Sequence, residues 1–322
     1  MVQNKLQIFG MSKEIFMKKY GILFVLALMV ILLSIVSPTF RSINNWVSIL
    51  QQISTNGVLA LGMVFVITAG GIDLSIGSLL ALTSVIIGRV LNSDGSIFTA
   101  IVLSLVMCAF FGFLNGYLTA WFNMFPFVVT LSTQLVIRGV AYIIARGKTV
   151  TLVNAYFRKI GMGKLGQIVP YSVLILLGVA VIAYILLHWT RFGRYIYAVG
   201  GNIHAATASG VNVLWTRIFS FVIMGVCAGI SGVILTSRIN AAQPNIGVGY
   251  ETDAIAACVI GGTSFAGGVS TIPGTIIGII IIGVIYNGMN LLKIDSYYQT
   301  VTKGALIIGA VMLDMFINKR RA

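Results

Sequence analysis

Residues Tyr250 to Leu292 read YETDAIAACVIGGTSFAGGVSTIPGTIIGIIIIGVIYNGMNLL, and this stretch gives the clearest indication of the fold class. Apolar runs and glycines alternate along it, and its only charged residues, Glu251 and Asp253, lie near its beginning. Irregular, glycine-rich backbone at membrane depth is tolerated only where it is buried in protein or lines a water-filled cavity. The stretch therefore predicts a helical membrane protein that holds irregular backbone within the bilayer.

The composition of the whole chain leads to the same prediction. The 322 residues are 58% hydrophobic and 9% charged, whereas soluble domains carry about 25% charged residues. A soluble fold of this length has too little interior to cover so much apolar surface. The net charge of +14 comes from basic residues that lie between apolar runs. This distribution indicates contact with anionic membrane lipid and argues against a nucleic-acid partner.

A spanning helix needs about 20 mostly apolar residues. Nine segments satisfy this requirement, and a tenth, Asp253–Phe265, is apolar but shorter. The nine predicted spans are Tyr20–Ser37, Leu50–Ala69, Leu74–Leu91, Ile97–Trp121, Pro126–Ala145, Pro170–Trp189, Val213–Thr236, Ile272–Leu292 and Tyr297–Ile317.

Basic residues at both ends of the chain predict the topology. They place the N-terminal segment, residues 1–19, and the C-terminus in the cytoplasm. An even number of crossings follows, so either Asp253–Phe265 crosses as a short helix or another span is miscounted. We predict an all-α, polytopic membrane protein with about ten transmembrane helices in a single domain, residues 1–322. The terminal basic residues are Lys5, Lys13, Lys18, Lys19, Lys319, Arg320 and Arg321.

Two connecting segments are long and polar. Residues 190–212 are cytoplasmic in this topology, in agreement with Arg191 and Arg194 at their start. Residues 146–169 lie on the outside although they carry basic and no acidic side chains, which indicates either a miscounted span or a docking surface for an acidic partner. The basic residues of this outer segment are Arg146, Lys148, Arg158, Lys159 and Lys164.

Several chemistries find no support in the sequence. The phosphate-binding pattern GxxxxGK followed by Ser or Thr is absent, so the chain cannot hydrolyse ATP by that route alone. The seven acidic residues form no ladder of the kind that a proton relay needs. The only histidines, His188 and His204, lie in no catalytic motif, and the three cysteines have no metal-ligand spacing. We therefore expect a protein that is not an enzyme and binds no metal.

Three motifs carry a family resemblance: GGIDLSIGS at residues 70–78, AVGGN…AA…SGVN at 198–212, and DAIAACVIGGTSFAGG…GTIIG…NGMNLL at 253–292. With them the chain closely resembles permease subunits of bacterial ATP-binding-cassette importers for monosaccharides, the ribose and galactose/methyl-galactoside permeases above all. Permeases for branched-chain amino acids or nucleosides share the general pattern and remain an alternative. A stand-alone secondary transporter and a passive channel are the alternatives from other classes.

The resemblance implies a set of partners in the inner membrane. Two permease chains, as a homodimer, would form the pathway, and two cytoplasmic ATPase subunits would bind the ATP, so this chain itself needs no cofactor. A periplasmic or lipoprotein sugar-binding protein would deliver the sugar, with the basic outer segment as its docking surface.

The resemblance also implies site residues. Coupling to the ATPase would involve Gly201, Asn202, His204, Ala205, Ala206 and Gly210, although His204 stands where the related loop is usually acidic. Hydrogen-bonding groups of the translocation pathway would be Asp73, Ser75, Asn115, Gln134, Asn287 and Asn290.

Overall fold

The structure is a computed structural model that describes residues 7–8, 11–152, 154–166 and 168–319. Helices make up most of this part of the chain, which confirms the prediction of an all-α membrane protein. The α-helices are α1 (Lys13–Val36), α2 (Ile43–Thr68), α3 (Ile76–Leu91), α4 (Ile97–Trp121), α5 (Pro126–Ala145), α6 (Ala155–Met162), α7 (Tyr171–His188), α8 (Arg191–Gly201), α9 (Ile203–Ala208), α10 (Val213–Ile239), α11 (Tyr250–Ile260), α12 (Ile272–Leu291) and α13 (Ser296–Lys319).

Short antiparallel strand pairs lie at the chain start and in the loops, and a 3-10 turn (Pro38–Arg41) precedes α2. The pair β3–β6 links the basic outer segment to the chain after α10, with Val150 opposite Ala242. The strands are β1 (Gln7–Ile8), β2 (Met11–Ser12), β3 (Val150–Thr151), β4 (Lys164–Leu165), β5 (Val169–Pro170) and β6 (Ala241–Ala242).

Six helices of the described chain are long and apolar enough to cross a membrane: α2, α4, α5, α7, α10 and α12. The helix α3 and the part of α1 from Ile22 to Val36 are apolar but shorter. The side of the termini, the count of ten crossings and the single domain 1–322 stay predictions.

The segment around α11 crosses the bundle without a continuous helix. The helix predicted over Asp253–Phe265 begins at Tyr250 and ends at Ile260, and its 11 residues rise about 16 Å, roughly half of a bilayer core. Before α11, the β3–β6 pair ties residue 242 to the basic outer segment. After α11, the backbone N–H of Gly268 donates to the carbonyl of Thr68 at the end of α2, 2.9 Å away. Irregular backbone thus lies on both sides of α11, and its depth in the membrane stays a prediction.

The helix α10 lies at the centre of the bundle and packs against α2, α3 and α4. Glycines bring its backbone close to α4, because a Cβ on Gly116 would lie 2.7 Å from the Cα of Ile218 and one on Gly225 would overlap the Cys108 carbonyl. Glycines of α12 approach α11 in the same way, since a Cβ on Gly278 would overlap the carbonyl of Ala257. Such contacts are the means by which helices pack closely in lipid.

The contact between α4 and α10 leads to a stability prediction. We expect Gly116→Val to lower the free energy of unfolding by about 1–3 kcal/mol, because its new methyl groups force the two backbones apart. The matched variant Gly178→Val, where a Cβ meets no atom within 4 Å, should unfold like the wild type. Thermal unfolding in detergent measures both, and equal midpoints for the two variants would contradict the packing argument.

Candidate functional site

The segment 190–212, predicted as a polar loop, is largely helical in the structure. Its first helix, α8, is capped by Thr190, whose Oγ1 accepts from the N–H of Gly193. The six-residue α9 follows, and Asn202 caps it because its Oδ1 lies 3.0 Å from the N–H of Ala205. These caps satisfy N–H groups that a helix start leaves free. The segment therefore presents a short helix rather than a flexible connector.

Three of the four exposed residues of α9 have small side chains, Ala205, Thr207 and Ala208, and the fourth is His204. Ala206 alone among the predicted coupling residues packs inward, with 3% of its surface exposed. Gly210 follows the end of α9 at φ +77°, a backbone conformation that favours glycine. The remaining predicted coupling residues are exposed at one end of the bundle: Gly201, Asn202, His204, Ala205 and Gly210.

Three of the predicted pathway residues, Asp73, Ser75 and Asn115, come together where the loop between α2 and α3 meets α4. Asp73 Oδ1 accepts from the Ser75 backbone N–H at 2.8 Å and from the Ser75 hydroxyl at 2.6 Å. The Asn115 amide donates to Ser75 Oγ at 2.9 Å. All three side chains have no exposed surface, and within the described chain Asp73 Oδ2 and Asn115 Oδ1 have no hydrogen-bond partner. The cluster thus contains two buried oxygen atoms that could each accept a further hydrogen bond.

The other three predicted pathway residues lie elsewhere. Asn287 on α12 exchanges two hydrogen bonds with Asn45 at the start of α2, at 3.0 and 2.9 Å. Asn290 is exposed and accepts from Gln299, and Gln134 is half-buried on α5. Because Asp73 follows the end of α2 and Asn45 lies at its start, the six residues do not form one site. Their part in a pathway stays a prediction.

The basic outer segment contains the short helix α6. Asn154 caps α6, the α6 side chain of Phe157 is fully buried, and the N–H of Gly161 donates to Ser237 Oγ at 2.8 Å. This anchoring turns the polar face of α6 outward. The five basic residues of the segment are all exposed: Arg146, Lys148, Arg158, Lys159 and Lys164.

A partly buried ion pair, not predicted from the sequence, joins α11 and α13. Lys303 Nζ lies 2.8 Å from Asp253 Oδ1 and also donates to the carbonyl of Gly249 at 2.8 Å. Two more donors reach the carboxylate: the Tyr286 hydroxyl at 2.8 Å and the Asn56 amide at 3.4 Å. Only 8% of the Asp253 side chain is exposed. The sequence does contain a signal for this pair, because Asp253 and Lys303 both lie in apolar segments, where ionisable residues usually pair with one another.

A small cavity adjoins this ion pair. Its volume is about 10 Å³, which is about the space that one water molecule occupies. Gln52, Asn56, Asp253 and Tyr286 line it beside apolar side chains. Asn56 Oδ1 is buried and has no hydrogen-bond partner in the described chain. The bundle thus holds a second cluster of hydrogen-bonding groups, apart from the one at Asp73.

Comparison with known proteins identifies the family. The family model for the permease component of branched-chain amino acid transport systems matches residues 45–311. The chain belongs to this permease family. No solved structure matches the permease. With its long apolar helices, the permease is a multi-pass transport protein of the inner membrane.

Several relatives match the permease over nearly its whole length. The ribose import permease of Bacillus subtilis (strain 168) is 43% identical over 92% of this chain and 93% of its own. The D-allose transport system permease of Escherichia coli (strain K12) is 39% identical over 95% of this chain and 94% of its own. The L-arabinose transport system permease of the same organism is 35% identical over 94% and 92% of the two chains. The resemblance to sugar permeases is thereby confirmed.

Proposed function

We propose that the permease is the membrane-spanning subunit of an ATP-driven importer and that its cargo is a monosaccharide. The observation that carries this proposal is the similarity to permeases named for ribose, D-allose and L-arabinose, each covering more than nine-tenths of both chains. The description of the family names branched-chain amino acids. The similarity over the full length favours a sugar over an amino acid.

ATP would be bound by separate cytoplasmic subunits, and the permease itself would carry no cofactor. The exposed helix α9 supports this division of labour, because its small side chains let it enter a cleft on an ATPase subunit. A second copy of the permease would complete the pathway, and a binding protein would deliver the sugar.

Gene deletion in the native host tests the cargo. Uptake of radiolabelled ribose, allose, arabinose, galactose and leucine would be measured with and without the permease. We expect loss of uptake for a monosaccharide and normal uptake of leucine. Loss of leucine uptake alone would overturn the sugar proposal. Unchanged uptake of every solute, together with a tagged permease that purifies from mild detergent without an ATPase subunit, would overturn the importer.

The basic outer segment predicts how the binding protein docks. Reversing two exposed charges, with Arg158→Glu and Lys159→Glu, should weaken binding of the delivering protein about tenfold at low salt and less at high salt, because complementary charge speeds encounter and salt screens it. Surface plasmon resonance against the permease in nanodiscs measures this effect. Lys293→Glu, an exposed change in the loop between α12 and α13, is the control. If the double reversal leaves the affinity for the binding protein unchanged, α6 is not the docking surface.

A further inference from the structure

The inner face of α8 contacts two other parts of the bundle at a single junction. Gly200 lies so close to the end of α2 that a Cβ on it would overlap the carbonyl of Thr68, and it would meet the backbone nitrogen of Gly268 at 2.6 Å. Gly268 belongs to the turn between α11 and α12, and its N–H donates to the same Thr68 carbonyl at 2.9 Å. Three separate segments thus meet backbone to backbone.

Hydrogen bonds made by the side chains of Tyr197 and Thr68 join the same three segments. The Tyr197 hydroxyl of α8 donates to the carbonyl of Ser270 at 2.9 Å. Thr68 Oγ1 of α2 lies 2.7 Å from Ser270 Oγ. Thr68 is fully buried and Ser270 is 5% exposed. Burial raises the pKa of the Tyr197 phenol above its usual range, so the phenol keeps its proton and remains a donor at physiological pH.

The turn that receives these contacts has a backbone that glycine favours. Gly267 and Gly268 adopt φ values of +86° and +70°. Gly267 packs on the backbone of Gly200, and Gly268 packs on the backbone of Gly200 and Gly201. Contacts between backbones leave no flexible side chain that could absorb a displacement, and packed interiors have low compressibility. A shift of α8 is therefore passed on to the end of α2 and to the turn before α12.

We infer that Tyr197 and Gly200 are positioning residues that link the movement of the α8–α9 segment to the helices α2 and α12. This inference rests on the proposed function, because it assumes that the ATPase subunits move α9. The contacts that link the three segments are made by the Tyr197 hydroxyl, the Thr68 hydroxyl and carbonyl, and the Gly200 Cα. When α9 moves, these contacts shift the ends of the two helices that flank the broken segment around α11.

The test measures ATP hydrolysis and sugar uptake side by side in vesicles that hold the permease with its ATPase subunits and binding protein. Wild-type vesicles must first show ATP-dependent uptake, and its absence would refute the proposed function rather than this inference. For Tyr197→Phe and Thr68→Val we expect normal copurification of the ATPase and hydrolysis within about twofold of wild type, while sugar moved per ATP falls about fivefold or more, the usual size of a coupling between sites.

The conservative variant Thr68→Ser keeps the hydroxyl and should restore the ratio of sugar to ATP. Gly200→Ala, which puts a methyl group against the Thr68 carbonyl, should lower the same ratio. An unchanged ratio in Tyr197→Phe and Thr68→Val would overturn the inference. Hydrolysis and uptake that fall together would also overturn it, since the junction would then serve folding or assembly alone.

Discussion

Replacing Lys303 with methionine is expected to destabilise the permease by about 3–5 kcal/mol, because it leaves the buried carboxylate of Asp253 without its countercharge. The Lys303 ammonium group lies 2.8 Å from Asp253 Oδ1 and also donates a hydrogen bond to the carbonyl of Gly249. The Tyr286 hydroxyl and the Asn56 amide remain as donors to the carboxylate but carry no charge. Thermal unfolding in detergent, followed by size-exclusion chromatography, measures the loss.

The double variant Asp253→Asn with Lys303→Met is the matched control. It removes both charges and keeps an acceptor for the Tyr286 hydroxyl, so we expect most of the lost stability to return. Replacing a buried pair with neutral groups is often neutral or stabilising, whereas removing one partner is costly. A double variant as unstable as the single one would show that the ion pair stabilises through its contacts and not through charge compensation.

Apolar length alone predicted most of the helices. The predicted spans Ile97–Trp121 and Pro126–Ala145 coincide with α4 and α5, because turn residues bound both apolar runs. The helix α2 begins at Ile43, seven residues before the predicted Leu50. Its first turns are polar, and Ser42 caps them by accepting from the N–H of Asn45 at 3.2 Å. Hydropathy does not detect a polar helix start, which depends on the cap.

The short helices and the buried clusters were harder to predict. The helices α6, α8 and α9 contain no apolar run of spanning length, so their sequence resembles that of a loop. The Asp253 site depends on which helices touch, because Asn56 lies 197 residues from Asp253 along the chain. The polar motif that contains Asp73 and Ser75 is visible in the sequence because it lies between two apolar runs. No sequence signal shows that Asn115 of α4 completes the Asp73 cluster. Its separation from Asn287 and Asn290 follows only from the packing of α2.

The second large effect is expected at α9. Replacing Ala205 with arginine should abolish copurification of the ATPase subunit and lower sugar uptake more than tenfold, because a contact worth about 2 kcal/mol or more at an interface changes affinity by that factor. Ala205 is exposed on α9, so a long side chain there disturbs no packing within the permease. It would instead keep the helix from entering a cleft that accepts small residues.

Two further variants test whether the loss of ATPase copurification and sugar uptake is specific to the exposed face of α9. Ser93→Arg introduces the same side chain at an exposed position between α3 and α4, and it should leave copurification and uptake at the wild-type level. Ala206→Arg is a different case, because Ala206 packs inward with 3% exposure and its replacement should also lower the yield of folded permease. If Ala205→Arg retained the ATPase and normal uptake, the subunit would contact another surface, and the exposed small residues of α9 would lose their role in coupling.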